Sequence, residues 1–305
     1  MAITLFSHPS CYLHLAGDDH PEQPARLSAI NDQLIRSGLE FVVQQRDATA
    51  ASKNDIYRAH SNLYVDEIYT KAPKEGHIWL DPDTQMMPHS LDAALHAAGA
   101  GINAVDLVLQ QVNQQAFCSV RPPGHHATRD QAMGFCILNN IAVAAMHALQ
   151  QHGLERIAIV DFDVHHGNGT EDIFAGDQRV LFCSSFQYPL YPNTGDVPSG
   201  DNIENLALPA LCKPAIWREQ ILQRWLGRIN AFKPQLILVS AGFDGHREDD
   251  MAQFLLTEND YHWIAQQLKQ LADTHCRGRI VATLEGGYAL SALGRSVVAF
   301  LKGLM

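Results

Sequence analysis

The feature that most constrains the fold is a continuous apolar run that ends abruptly in acids, histidines and glycines. The run Ile157–Val160 is short, β-branched and without polar alternation, which predicts a strand buried on both faces of a parallel sheet. The residues Asp-Phe-Asp-Val-His-His-Gly-Asn-Gly follow directly, at 161–169. Ligand sites of open parallel sheets lie just beyond the carboxyl ends of the strands. We therefore expect the chemistry of this chain to begin near Asp161.

Asp161, Asp163 and His165 would face one side if the strand stayed extended through them, because side chains alternate along a strand. A catalytic zinc site uses N and O ligands of this kind and needs three from the protein, with one position left open. Two residues of this group could supply two of the three ligands. An isolated Asp-x-Asp is more often a solvated turn, but the longer sequence is far more specific. His166 would face the other way, as an orienting or packing residue.

Two further predicted strands end in residues of the same chemistry. Leu236–Val239 leads to Asp244, which is the natural third metal ligand because neighbouring parallel strands deliver their carboxyl ends to one edge. Ile280–Leu284 runs into Glu-Gly-Gly-Tyr, where paired glycines allow close backbone approach. The hydroxyl of Tyr288 could then donate to a developing oxyanion; the alternative is ordinary packing at a helix start.

A tandem histidine pair follows another predicted strand. His125 and His126 come after Arg-Pro-Pro-Gly, a stiff turn that could direct both imidazoles into one pocket. Adjacent histidines can divide proton transfer in amide hydrolysis, although such a pair alone is more often incidental. Phe135 and Tyr191 could line a narrow apolar channel or simply pack in the core. Arg26, if it faces inward, would need an anionic partner or product.

Composition limits the class of protein. With 305 residues, 46% hydrophobic and 18% charged, we expect one α/β domain spanning residues 1–305. No apolar stretch is long enough to cross a bilayer and no signal peptide is evident, so we expect a cytoplasmic protein without a membrane partner. The six cysteines lack Cys-x-x-Cys spacing, which favours free thiols. A net charge of −11 argues against a nucleic-acid partner and weakly favours a cationic substrate.

Strand and helix patterns alternate along the chain, which predicts a parallel sheet of roughly eight strands with helices on both faces. The predicted strands are Ile3–Phe6, Phe41–Val43, Phe117–Val120, Ile157–Val160, Val180–Cys183, Ile203–Leu208, Leu236–Val239 and Ile280–Leu284. The predicted helices are Pro24–Ser37, Leu91–Gln111, Asn140–His152, Lys213–Ile229, Glu258–His275 and Leu290–Leu301, with a further helix opening at Thr170–Phe174. Gly76–Ser90 is predicted to be a surface loop, in which Asp83 is either a substrate contact or part of a solvated turn.

Five motifs carry a family resemblance: RPPGHHA, GFCILNN, DFDVHHGNGT, SAGFD and LEGGY occur in this order. Together they resemble the zinc-dependent histone deacetylase superfamily, which includes bacterial acetylpolyamine amidohydrolases, and HHGNGT with LEGGY is similar to the class II branch. The resemblance spans His20 to Tyr288. It implies an arginase/deacetylase-like α/β fold with an eight-stranded parallel sheet.

The resemblance also implies roles for individual residues. It implies that zinc is bound by Asp163, His165 and Asp244. It implies catalytic roles for His125, His126, Tyr288, Asp161 and Asn168. It implies substrate contacts at Asp83, Gly134, Phe135, Tyr191 and Met251, and an acetate channel at Arg26. It implies potassium binding through main-chain oxygens of Asp161, Asp163 and His165 and side chains of Asp161 and Ser184.

Two of these positions bear on the protonation of His126 and on the choice of substrate. Asn168 stands where some relatives carry aspartate, and a neutral amide raises the pKa of His126 less than a carboxylate would. This favours a neutral, basic imidazole. Met251 stands where a polyamine-selective relative has a gating glutamate, which leans away from that gate, although the acids Glu248–Asp250 precede it.

The sequence therefore predicts a zinc-dependent amidohydrolase that removes acetyl or other small acyl groups from a lysine side chain or a similar primary amine and releases acetate. Fe²⁺ could occupy a similar site. The substrate would be an acylated lysine peptide or an acylated polyamine. The alternatives are an acetylpolyamine deacetylase of the same family, a ureohydrolase with two manganese ions, and a catalytically silent protein that binds acyl ligands.

Overall fold

The computed structural model describes residues 3–17, 19–110 and 114–305, so the predicted helix end at Gln111 lies outside the described residues. The strands in these ranges are β1 (Ile3–Ser7), β2 (Gln44–Asp47), β3 (Ile78–Asp81), β4 (Thr84–Met86), β5 (Gln115–Cys118), β6 (Ile157–Asp161), β7 (Val180–Gln187), β8 (Ile203–Leu208), β9 (Leu236–Ala241) and β10 (Ile280–Leu284). The helices are α1 (Ser10–Leu13), α2 (Ala25–Ser37), α3 (Lys53–Ile56), α4 (Asn62–Lys71), α5 (Ser90–Gln110), α6 (Asn140–Gln151), α7 (Asn168–Phe174), α8 (Pro214–Gln220), α9 (Gly227–Phe232), α10 (Glu258–His275) and α11 (Leu290–Leu304).

Within the described residues, eight strands form one sheet in the order β2-β1-β5-β10-β9-β6-β7-β8. Every neighbouring pair in it is parallel. All residues of β6 and β9 are buried, because both faces of the central sheet are covered. The predicted parallel sheet is confirmed. Its order places β10, β9, β6 and β7 side by side, so that their carboxyl ends share one edge.

The predicted strand Phe41–Val43 is wrong. A 3₁₀ turn occupies Leu39–Phe41, and the side chain of Phe41 is 85% exposed. The strand that pairs with β1 is β2, whose four residues are polar and exposed. An edge strand needs no apolar pattern when its side chains face water, so hydrophobic periodicity does not detect it.

The predicted surface loop Gly76–Ser90 is also wrong in part. β3 and β4 pair antiparallel there and form a separate hairpin with an irregular register between Trp79 and Asp81. Its strands are short and mostly polar, which hides them from periodicity. The hairpin matters for the site because it carries Asp83.

The helical predictions differ from the structure mainly at their boundaries. Lys213–Ile229 corresponds to α8 and α9 joined by a π-helical segment, Ile221–Leu226, with Pro214 in the first turn of α8. None of the helices in the described ranges combines the length and the hydropathy that crossing a bilayer would require.

Candidate active site

The turn after β6 gathers polar side chains by local hydrogen bonds. Asp161 Oδ1 accepts the main-chain N–H of Asp163 at 3.1 Å, and Asp163 Oδ1 accepts the main-chain N–H of His165 at 2.9 Å. Aspartate side chains commonly compete with extended structure in this way. The condition of an extended strand through His165 is therefore not met, since β6 ends at Asp161. The two turns nevertheless bring Asp163 and His165 together.

Asp163, His165 and Asp244 form a compact group of possible metal ligands. His165 Nδ1 lies 3.1 Å from Asp163 Oδ1 and 3.1 Å from Asp244 Oδ2, and the three ligand atoms lie within 4.8 Å of one another. All three residues are buried. Burial and the nearby charge of Asp163 raise the pKa of the Asp244 carboxyl to about 6. Because two buried carboxylates and an imidazole suit a divalent cation in both charge and spacing, the donor set fits a metal ion.

Two glycines leave room for these carboxylates. A Cβ at Gly242 would lie 2.0 Å from Asp163 Oδ2, and a Cβ at Gly286 would lie 2.1 Å from Asp244 Oδ2. These separations are far shorter than van der Waals contact. The sequences Ala-Gly-Phe-Asp and Glu-Gly-Gly-Tyr therefore need glycine at these positions so that the backbone can pass directly beside these two carboxylates.

The tandem histidines lie next to this group, and each has its own partner. His125 Nδ1 lies 2.9 Å from Asp161 Oδ2, and His126 Nδ1 lies 2.7 Å from Asn168 Oδ1. The ring centroids of the two histidines are 4.0 Å apart. The amide nitrogen of Asn168 donates to His126 O and to Met133 Sδ. Its oxygen must therefore face His126 Nδ1, which places the proton on Nδ1 and leaves Nε2 as an acceptor.

The two imidazoles have opposite pKa shifts. Burial acts to lower the pKa of His125, but the charges of Asp161 and Asp163 outweigh it and raise that pKa to about 10. Burial lowers the pKa of His126 well below its ordinary value, and the neighbouring His125 and His165 lower it further. Neighbouring groups whose pKa values are pushed apart can divide acid and base roles.

A cavity of about 220 Å³ lies above this cluster. Its lining includes His125, His126, His165 and Tyr288, together with all five residues predicted to contact substrate: Asp83, Gly134, Phe135, Tyr191 and Met251. The cavity wall is mostly aromatic and aliphatic.

The β3–β4 hairpin holds one wall of the cavity. Asp83 Oδ1 accepts the N–H of Gly134 at 2.9 Å, and Thr84 Oγ1 accepts the N–H of Phe135 at 3.0 Å. Phe135 has φ 67°, which is unusual for a residue with a side chain. These hydrogen bonds hold the strained turn. They also bring Asp83 close to Phe135, although the two residues are far apart in the sequence.

Tyr288 lines the cavity and is held from below by Arg26. The Arg26 guanidinium carbon lies 4.9 Å from the centre of the Tyr288 ring, and Arg26 Nε donates to Gly287 O at 2.7 Å. Arg26 also donates to Glu285 O and Glu22, and it is fully buried. Burial raises the pKa of Tyr288 well above its usual range, so its hydroxyl remains a hydrogen-bond donor. An anionic partner was expected for an inward-facing Arg26, and the structure shows that this partner is Glu22.

Two carboxylates that shape the site, Glu285 and Asp249, were not predicted from the sequence. Glu285 Oε2 accepts the N–H groups of Gly124 and His125, and Oε1 accepts Ser240 Oγ. Its place at the end of a buried strand repeats the position of Asp161, and that signal could have identified it. Asp249 is buried beneath the Tyr288 loop, and its acidic neighbours gave no sign that it turns inward.

Two other groups of polar side chains have the chemistry of cation ligands. Ser184 pairs in register with Asp161, and its buried Oγ has no partner among the described residues. A second possible metal group, Asp106, His147 and His152, lies outside the cavity. Both histidine Nε2 atoms contact Asp106 Oδ1, at 2.7 and 2.6 Å.

A family model for the histone deacetylase domain matches residues 20–304. The chain belongs to the histone deacetylase family. An uncharacterized protein of Synechocystis sp. is 40% identical over 298 residues, which cover 96% of each chain. A probable deacetylase of Archaeoglobus fulgidus is 38% identical over 99% of this chain and 87% of its own.

The solved structure of the HDA15 HD domain has the same fold. It matches with a TM-score of 0.91 and 31% identity, over 99% of this chain and 88% of its own. The deacetylase-like α/β fold predicted from the motifs is confirmed. Membership of the histone deacetylase family supports an enzyme that hydrolyses amide bonds, as a deacetylase or amidohydrolase.

Proposed function

We propose that this chain is a zinc-dependent deacylase that removes acetyl or another small acyl group from the side-chain amine of lysine and releases acetate. One observation carries the proposal: Asp163, His165 and Asp244 converge beside the paired histidines, next to a mostly apolar cavity. Three buried ligands, two proton-transfer groups and a tyrosine donor are the parts that metal-assisted amide hydrolysis requires.

Asp163, His165 and Asp244 would hold the metal, with Zn²⁺ favoured and Fe²⁺ possible by ligand chemistry. When bound, a divalent cation would polarise the amide carbonyl and lower the pKa of water at the site. The glycines beside these carboxylates and the raised pKa of Asp244 support a cation at this position.

The proton-transfer steps fall to the histidine pair and Tyr288. His126 presents a free Nε2, because its Nδ1 proton is directed to Asn168, so it accepts the proton of the attacking water. Tyr288 donates a hydrogen bond to the developing oxyanion. His125, paired with Asp161, or the newly protonated His126 then donates a proton to the leaving amine.

A structural potassium ion would bind close by. The proposed ligands are the main-chain oxygens of Asp161, Asp163 and His165 with the side chains of Asp161 and Ser184. The hydroxyl of Ser184, which has no partner in the described part of the chain, supports this site, because a buried polar atom without a partner is costly.

The cavity suits an acylated side chain with an apolar stem. Phe135, Tyr191 and Met251 offer apolar walls, and Asp83 lies among the lining residues with one oxygen already bonded to Gly134. A polyamine gate would need an acid in the wall near Met251. Asp249 faces the main chain of Tyr288, and neither Asp249 nor the exposed Asp250 lines the cavity. The absence of these two acids from the wall favours an acylated lysine over a free acylated polyamine as substrate.

Arg26 also lies outside the cavity lining, and its part in an acetate exit stays a prediction.

The rival functions differ in metal content and product. A ureohydrolase with two manganese ions needs further carboxylates beside the same ligands, and Asp163, His165 and Asp244 are the one buried group of this kind within the described ranges. A silent acyl-binding protein would not need the His125–Asp161 and His126–Asn168 pairs.

The deciding experiment compares kcat/KM for acetyl-lysine peptides, longer acyl-lysine peptides and N-acetylated polyamines, using one zinc-defined preparation. We expect acetate release, with acetyl-lysine peptides preferred over acetylated polyamines. A preference for polyamines would move the substrate to the polyamine class. Binding of acyl-lysine without any amine release would contradict hydrolysis itself.

A further inference from the structure

The three carboxylates of the acidic segment Glu248–Asp250 lie in different environments. Glu248 is exposed and pairs with Arg295 at 2.8 Å. Asp250 is exposed as well. Asp249, between them, is only 5% exposed. A buried carboxylate must be compensated by hydrogen bonds or charge, so its partners indicate what it does.

Asp249 binds the main chain of the loop that carries Tyr288. Its Oδ2 accepts the N–H of Tyr288 at 2.6 Å and the N–H of Ala289 at 2.9 Å. Its Oδ1 accepts the N–H of Met251 at 3.1 Å. One carboxylate therefore joins the backbone of the proposed oxyanion donor to the backbone of a residue in the cavity wall.

The Tyr288 loop needs such a restraint, because two consecutive glycines precede the tyrosine. Gly287 has φ 122°, a conformation that residues with side chains rarely adopt. Arg26 holds this loop through the carbonyl of Gly287. Asp249 holds it through N–H groups on the other side of the same peptide segment. The loop is therefore held both through the carbonyl group of Gly287 and through the N–H groups of Tyr288 and Ala289.

We propose that Asp249 is a positioning residue for Tyr288, acting through the main chain to hold the phenol over the reacting carbonyl. This inference rests on the proposed hydrolysis. Small displacements of a catalytic group are costly: a shift of about 1 Å can lower a rate by about 10². Since the contacts are to the backbone, the dependence exists whatever the identity of the acyl group.

Asp249→Asn is the sharpest variant, because it preserves shape. An amide has one accepting oxygen, so it can serve the Tyr288–Ala289 side or the Met251 side but not both. We expect kcat to fall by about 10- to 100-fold while KM and zinc content change little. The matched control is Asp250→Asn, which removes the same charge from the exposed neighbouring position and leaves kcat unchanged.

A double-variant cycle separates positioning from general loss of structure. If Asp249 acts through the Tyr288 hydroxyl, adding Asp249→Asn to Tyr288→Phe lowers kcat little further, because the group being positioned is already absent. A multiplicative loss in the double variant would overturn the proposal. Thermal unfolding of each variant shows whether the fold is retained, and Asp249→Glu enters the same cycle if the asparagine variant does not fold.

The outcomes also separate this inference from the proposed function. A wild-type chain that hydrolyses none of the acyl amides overturns the proposed function, and the positioning role with it. An active wild type whose Asp249→Asn variant keeps full kcat overturns the positioning role alone.

Discussion

The absence of a Cβ atom at Gly134 is required by the geometry of the site. A Cβ there would lie 2.3 Å from His126 Cδ2, and φ is 58°. The turn can therefore press against the ring of His126 only because the residue has no side chain. His126 is in turn held through Nδ1 by Asn168.

We expect Gly134→Ala to displace His126 and abolish most activity. The left-handed backbone alone would cost about 1–3 kcal/mol of stability. Gly153→Ala is the matched control, because Gly153 has φ 66° but no atom of the described residues lies within 4 Å of the added Cβ. Chemical denaturation and kcat together test this: both variants lose stability, and only Gly134→Ala loses activity. Equal activity in the two would contradict the steric account.

Tyr288→Phe tests the proposed oxyanion donor directly. The ring contacts with Phe135 and Arg26 would remain, so we expect normal folding and normal zinc content. Removing one oxyanion donor typically lowers kcat by about 10²–10³, and a loss of that size is predicted for acetyl-lysine peptides. Near-normal turnover would remove Tyr288 from the mechanism.

For individual residues, the motifs predicted which side chains lie together, but not the backbone conformation that brings them together. Asp163 and His165 approach through two turns rather than along an extended strand, because each aspartate captures a nearby N–H. Hydrogen bonds of this kind leave no periodic signal. The role of Asp249 left no signal either, since two of its three partners are main-chain N–H groups distant in sequence, those of Tyr288 and Ala289.

The elements contribute through the ends of three adjacent strands and the interior of a fourth. β10, β9 and β6 lead to Glu285, Asp244 and Asp161, and β7 contains Ser184. The buried strands were predictable because they are apolar and β-branched, whereas the polar edge strand β2 and the β3–β4 hairpin were not. Sequence periodicity also does not give the order of strands, which depends on how distant segments pack.

Glu285 joins the end of β10 to Ser240 of β9 and to the turn that carries Gly124 and His125, and substitutions there separate the effect of its hydrogen bonds from that of its charge. Glu285→Ala leaves the N–H groups of Gly124 and His125 unpaired in the interior, at about 1–3 kcal/mol each. Glu285→Gln keeps one oxygen for those N–H groups, and its amide can donate to Ser240 Oγ. Urea unfolding should therefore show a large loss for alanine and a small one for glutamine. Equal losses would mean that the carboxylate charge, rather than its hydrogen bonds, holds the turn.

The whole molecule brings distant residues to one edge of its sheet and surrounds them with apolar packing. Asp163 and Asp244 are separated by 80 residues in sequence, yet both contact His165. Burial and the charge of Asp163 raise the pKa of the Asp244 carboxyl to about 6. A bound cation would offset this repulsion, and binding only to the folded state would stabilise the protein.

The most direct test is a zinc titration of the metal-free chain, with activity and bound zinc measured together. The His152→Ala background removes one member of the second possible metal group, which would otherwise confuse the stoichiometry. We predict no hydrolysis without metal and a linear rise that saturates at one zinc per chain, lost in Asp244→Asn. Full activity without metal, or saturation only at two ions per chain in this background, would contradict a single ion held by Asp163, His165 and Asp244.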